Sequence, residues 1–456
     1  EIVNMYEIDK YIVKPFTKDS QASFVETLPS TCGTQDPHFF LSHWWGEPFF
    51  HTLDCIEQLI KDFSQNQYAP DGARGGGMTI HTPIWICIFA NNQWCISEEL
   101  SKDNNPMKSP FGKAMRESKG TISILDAKGI VFSRAWCILE LFMTLTAKKK
   151  DEDDADMKNR RVWGVYTAHK HTYKPYSDSD PEERAAVGIV SGGAAGEDSV
   201  MTSHRERYFP MELSQMSRNI DIKSAEASEE DDLKHILNSI AEIDDLEADP
   251  YKNHDNYTKL NDAVKGAFAA SMPVLKAAAI ASEDEWTDTL DRFSKGVMTG
   301  EFLLHFDSFH PRLSSSQARE LVSHVPLTCD GLGIDNAKGE DCEGAIEGMI
   351  EWLGKAETIE ILVCNFCKVG RKEGGKDAGI RLAATLETSD HVTTIEYLSI
   401  EYTDLIVSEN VSDWASALKK MTALKTLWLF GVDKYISNEE KSILRKATHA
   451  SDIIGI

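Results

Sequence analysis

The sequence predicts a two-part α/β protein, and three observations carry that expectation. Residues 37–170 alternate continuous apolar runs with helical patterns, and residues 299–456 repeat a strand–helix unit. The chain of 456 residues is also longer than one hydrophobic core ordinarily organises. The expected layout is an N-terminal extension (1–36), an α/β domain (37–250) with a mobile loop at about 173–207, a helical linker (251–298) and a repeat domain (299–456).

In the first half, HFFLS (38–42) is a short apolar run closed by a polar turn. Leu53, Ile56, Ile60 and Phe63 then recur at helical spacing. PIWICIFA (83–90) is continuously apolar, as for a strand covered on both faces. A short helix around Gly112–Ser118, the strand TISIL (121–125), a helix from Arg134 to about Lys148 and the strand RVWGVYTA (161–168) follow. NIDIKSAEAS (219–228) reads as a last strand. Ser228 with Asp231 reads as a capping box opening a helix with Leu233, Ile236, Leu237, Ile240 and Ile243 on its apolar face. The alternation argues a mainly parallel sheet with helices on both faces.

In the second half the pattern L-x-x-L-x-L is met by Leu424-Leu427-Leu429 and Ile395-Leu398-Ile400. It is met more loosely by Ile359-Leu362-Cys364 and Cys329-Leu332-Ile334. Successive starts lie 30, 36 and 29 residues apart. Helices with apolar faces fall between, such as Ala345, Ile346, Met349, Ile350 and Leu353. A strand plus a helix every ~28–30 residues resembles the long type of leucine-rich repeat, LRR. The resemblance implies parallel strands side by side, helices on the opposite face, and an array that binds proteins.

Composition excludes several partners. With 48 Lys+Arg against 73 Asp+Glu, the net charge of -25 repels nucleic acid and anionic membrane surfaces. No apolar run approaches the ~20 residues needed to cross a bilayer. Nine cysteines, scattered through apolar segments, read as reduced core thiols of a cytoplasmic protein and not as a disulfide framework.

Two segments of the first half carry a family resemblance. FFLSHWWGEP is an apolar strand ending in Ser and followed by a Gly-Glu loop, and SRAWCILEL (133–141) matches the pattern S-x-W-C-L-x-E-L almost residue for residue. Over about residues 37–170 the chain resembles the TIR family, which implies a TIR/flavodoxin-like parallel sheet. In TIR enzymes that cleave NAD the Glu of the second segment is the catalytic carboxylate, and it maps onto Glu140. NAD would then be a substrate and not a bound cofactor, with Ser42, Trp45, Gly46, Glu47 and Trp94 as candidate contacts. One carboxylate suffices in principle, because nicotinamide leaves neutral and the oxocarbenium-like transition state needs only a negative group beside it. Trp45 stands where the family carries Arg before Gly-Glu, and Ala90-Asn91-Asn92 replaces an Asp at the end of the second strand.

From the residues alone, Glu140 lies in a helix apolar nearly all round. A buried carboxylate there must line a cleft or pair with a cation, for which Arg134 is the nearest candidate. Weaker signals read as structural. Gly370–Asp377 falls one residue short of a Walker A loop, with Asp377 where Ser or Thr would hold Mg²⁺, and reads as a solvated insertion. Cys364-x-x-Cys367 with Cys329 and Cys342 reads as core thiols, and His169-x-His171 as a loop pair, so no metal is expected. Two functions remain open. One is an interaction or scaffold module with a partner-binding repeat array and TIR–TIR self-association, possible as a subunit of a larger assembly. The other is an NAD glycohydrolase using Glu140.

Overall fold

The computed structural model describes residues 3–29, 33, 35–64, 78–96, 105–146, 162–169, 186–190, 202, 205–206, 208–227, 229–297, 301–370 and 372–455. The chain divides into two compact units, the first built mainly from residues 1–196 and 205–273, the second mainly from 274–456.

The first unit is organised by a five-stranded sheet in the order β2-β1-β3-β4-β5. Strands β1 (Phe39–His43), β2 (Ile84–Trp85), β3 (Gly120–Ile124) and β4 (Val162–Thr167) run parallel; β5 (Val187–Val190) lies antiparallel on β4. All five residues of β1 and of β3 are buried, because apolar side chains leave both faces. Phe39, Leu41, Ile122, Ile124 and Tyr166 meet Cys55, Leu59 and Phe63 of helix α1 (Phe49–Ser64) on one face. Tyr166 Oη donates to Asp62 at 3.0 Å, which ties α1 across the sheet.

On the other face Phe40 stacks on Trp85 at 4.4 Å and packs with Phe111 and Met115 of α2 (Pro110–Glu117). Trp163 and Val165 meet Ile138, Leu139 and Phe142 of α3 (Ala135–Thr146). Helices α4 (Glu230–Ile240) and α5 (Asp255–Ala269) complete this core with Ile236, Ile240, Leu260 and Val264.

Several local expectations are corrected here. The run 83–90 is a strand only at Ile84–Trp85; Cys87–Ala90 turns into a helix. Gln93 explains the turn, since its amide donates to the carbonyls of Cys87, Ile88 and Asn91 and rewards a curled backbone. Residues 219–228 form no strand but two 3-10 turns, joined to the sheet side only by a bridge between Arg134 and Glu226. Helix α4 starts from Glu229 without a side-chain cap, and Ser228 lies outside the described residues. The expected mobile loop at 173–207 contains the buried strand β5, where Gly188 lets the Tyr166 ring lie on the backbone: a Cβ there would meet that ring at 2.5 Å.

The second unit is one six-stranded parallel sheet in the order β11-β10-β9-β8-β7-β6. Its strands are β6 (Glu301–His305), β7 (Gly331–Asp335), β8 (Ile361–Asn365), β9 (Tyr397–Glu401), β10 (Thr426–Trp428) and β11 (Asp452–Ile454). The register puts the repeated positions on common rungs. Phe302, Leu332, Leu362, Leu398, Leu427 and Ile453 face one another in one row, and Leu304, Ile334, Cys364 and Ile400 in the next. The spacing in sequence thus corresponds to side-by-side parallel strands, with β6 and β11 extending the row beyond the four copies legible in sequence.

One helix follows each strand but the last: α6 (Glu283–Ser294) precedes β6, then come α7 (Ser315–Ser323), α8 (Glu340–Leu353), α9 (Lys372–Thr388), α10 (Val411–Lys420) and α11 (Asn438–Ala447). From α7 to α11, each helix packs on the next. One close approach is at Gly344 of α8, where a Cβ would meet the Ser315 carbonyl oxygen at 2.0 Å. Backbone cannot yield there as a side chain would. Gly344→Ala is therefore expected to lower stability by about 1–3 kcal/mol despite alanine's better helix propensity, measured as a shift in the urea midpoint.

The segment 370–377 leads into a helix, with residue 371 outside the described residues and Gly370 and Asp377 exposed. Helix α9 begins at Lys372, and the amides of Val369 and Gly370 donate to the Asp404 carboxylate at 3.1 and 3.2 Å. A carboxylate thus occupies the donors that a phosphate cradle would need. Cys329, Cys342, Cys364 and Cys367 are buried free thiols.

Candidate functional site

Glu140 sits in the second turn of α3, under the C-terminal end of β1. It is 4% exposed, and Oε2 has neither solvent nor a hydrogen-bond partner. The expected alternatives were an open cleft or an ion pair with Arg134. The carboxyl is buried instead, and among the described residues no cation pairs with it. Burial pushes its carboxyl pKa up to about 8 from 4.5, and the neighbouring Ser42 and Cys137 side chains draw it back only in part. At neutral pH the group is mainly a protonated acid.

The surroundings are equally dry. Ser42 Oγ and both ring nitrogens of His43 lack well-formed hydrogen bonds. Burial holds the His43 pKa down at about 4, the Leu41 backbone opposing this slightly. Trp45 Nε1 donates to Cys87 Sγ at 3.0 Å. The Cys87 thiol is pushed up to about 12, by burial first; the Trp45 bond opposes this and the Glu140 carboxyl adds to it. Burial likewise raises Cys137, with Glu140 adding to the effect. These thiols are inert by this criterion.

Among the remaining sequence candidates, the structure gathers some and disperses others. Gly46 is needed sterically, since a Cβ there would meet the Trp44 indole at 2.2 Å. Glu47 is buried and points to a different neighbour, His51, with Oε1 2.8 Å from Nδ1. Burial raises its pKa, and the His51 bond offsets part of the rise. Trp94 is 39% exposed and its Nε1 donates to Thr17 at 2.9 Å. Ser42 and Glu140 are therefore together, Trp45 joins them through Cys87, and Trp94 stands apart.

The sequence reading missed the part played by the N-terminal segment. Met5, Ile8 and Val13 are buried against Ile88, with Phe24, Trp45, Phe49 and Phe89 around them. Met5 N donates to the Trp45 carbonyl at 3.0 Å, Phe49 N to Val3 at 2.9 Å, and Asn92 Nδ2 to Gln21 at 2.8 Å. Residues 3–24 thus cover the Trp45–Phe49 turn and the Cys87–Trp94 segment, the rim of the expected cleft. The periodicity of Met5, Ile8, Ile12 and Phe16 would have pointed to the wrong face beyond Ile8, since Ile12 and Phe16 are exposed and Val13 is buried after a π-helical turn at Asp9–Val13.

Chemically, the arrangement is a buried carboxyl beside a hydroxyl and two thiols, with the charge of Arg134 felt at Cys137. Burial favours the protonated carboxyl, which can donate a proton. His171 lies outside the described residues. Among the described residues, no group of three or more His, Cys, Asp or Glu is placed to hold a metal ion, and no helix is long and apolar enough to cross a membrane. Comparison with protein-family models, with curated proteins and with solved structures gives no match for this chain.

Proposed function

We propose that the chain is a protein-interaction or scaffold module, with a TIR/flavodoxin-like domain followed by an LRR-like array that engages a protein partner, and that it serves as a subunit of a larger assembly. The observation that carries this reading is Glu140. The residue that matches the catalytic position of NAD-cleaving TIR domains is buried, which favours its neutral form, and the rim is occupied by the chain's own N-terminal segment. The array supports the binding half. Phe366 and Tyr402 follow β8 and β9, are 42% and 38% exposed, and stack at 4.8 Å. Both hold left-handed backbone, φ 54 and 50, an uncommon conformation for aromatic residues that functional surfaces tend to retain.

A second reading, NAD glycohydrolase, draws on the same carboxyl. A buried acid without a partner is costly, and catalytic groups are where such costs are tolerated. Incubating the full chain with NAD between pH 6 and 9 and assaying free nicotinamide separates the two. The expected result is no release above that of Glu140→Gln. Release by the wild type that Glu140→Gln abolishes would overturn the scaffold reading and establish the enzyme.

A further inference from the structure

Within the first unit, a cavity of about 320 Å³ opens between the 3-10 turns at 217–224 and the face of α5 carrying Asn261 and Lys265. Its charge runs against that of the chain. Arg218, Lys223 and Lys265 line it with a single acid, Asp221, in a protein of net charge -25. The acid is already engaged: Asp221 Oδ1 accepts from the Lys223 amide at 3.2 Å and from Asn261 Nδ2 at 3.3 Å. Asn261 is fixed in turn, its Oδ1 accepting from Ile222 N at 3.0 Å. No carboxylate among the described residues pairs with Lys265. His254 also lines the cavity, and its Nδ1 accepts from Asn256 N at 3.2 Å. The neutral ring therefore keeps its proton on Nε2, as a donor.

A recess lined by several cations draws anions even on an acidic protein. Guanidinium matches phosphate oxygens in a two-pronged geometry, and ammonium adds a point charge. The volume lies at the small end of ligand pockets, which begin at about 300 Å³. We propose that this cavity binds a small phosphate-bearing anion of pyrophosphate size, held first by Lys265, with Arg218 lining the same recess. The inference is independent of Glu140 and of the interaction reading.

The test is calorimetric titration of the full chain with inorganic pyrophosphate and, separately, with ADP, at about 0.15 M salt. Saturable binding at one site is expected, weakened about tenfold or more by Lys265→Gln and by Arg218→Gln, as for loss of one charge-assisted bond. Tighter binding of ADP assigns the site to the diphosphate of a nucleotide, and equal binding to the free anion. Lys259→Gln, on the same helix but outside the cavity, is expected to bind as the wild type does. If Arg218→Gln fails to fold, the Lys265→Gln and Lys259→Gln pair still decides the matter. No saturable binding of either probe at millimolar concentration overturns the proposal. So does an affinity that Lys265→Gln and Lys259→Gln leave equally unchanged.

Discussion

Glu140→Gln is expected to gain stability over the wild type as pH rises, by roughly 4 kcal/mol between pH 5 and pH 8. The folded carboxyl titrates at about 8 and the unfolded one at 4.5. Between those values the unfolded chain has released a proton that the folded chain retains, so stability falls with rising pH and levels off above 8. Gln carries no such proton, and the difference between the two proteins reports Glu140 alone. Urea unfolding at half-unit steps of pH measures it. A pH-independent difference would mean that the carboxyl is solvated or paired after all.

His43 acts in the opposite sense. Its folded pKa of about 4 lies below the usual 6.5, so the unfolded chain takes up a proton first as pH falls. Stability from the buried neutral ring is present above 6.5 and is lost towards pH 4. Between pH 4.5 and 6.5 the two slopes cancel. The contributions of these two groups therefore offset each other there, and Glu140→Gln leaves the His43 contribution, which declines towards acid, uncompensated.

Leu398→Ala is expected to cost about 3–5 kcal/mol, the range for a leucine truncated in a packed core. Leu398 is 1% exposed and stands mid-row between Leu362 and Leu427. In an array where each unit leans on its neighbours, the damage spreads along the sheet. Hydrogen exchange should show protection falling in β9 and β10 together. Ile453→Ala, at the outer strand, should cost less than half as much. Equal costs at the two positions would contradict a cooperative row.

The parallel sheets were legible because their evidence is local and periodic. Phe39–Leu41, Ile122–Ile124 and the leucine rungs each declare a buried strand within a few residues. What escaped depends on contacts distant in sequence. The turn of Cys87–Ala90 answers to the Gln93 amide, and the 370–377 segment answers to Asp404 in the next repeat. Burial of Met5 and Ile8 is decided by Ile88, some eighty residues on. For Glu140 the apolar helix was enough to foresee burial. Whether a cation would face it was not visible, because the facing atoms come from β1.

The helices behind the second sheet differ in length while its strands stay aligned. Helix α8 has 14 residues, α9 has 17, and α10 and α11 have 10 each, yet every strand meets the next on the same rung. Change in length is therefore absorbed at the back, without re-indexing the front. Helices of unequal length thus back a row of strands whose ends stay level with one another. The 36-residue interval that looked like an interruption of the repeat is one instance of that inequality.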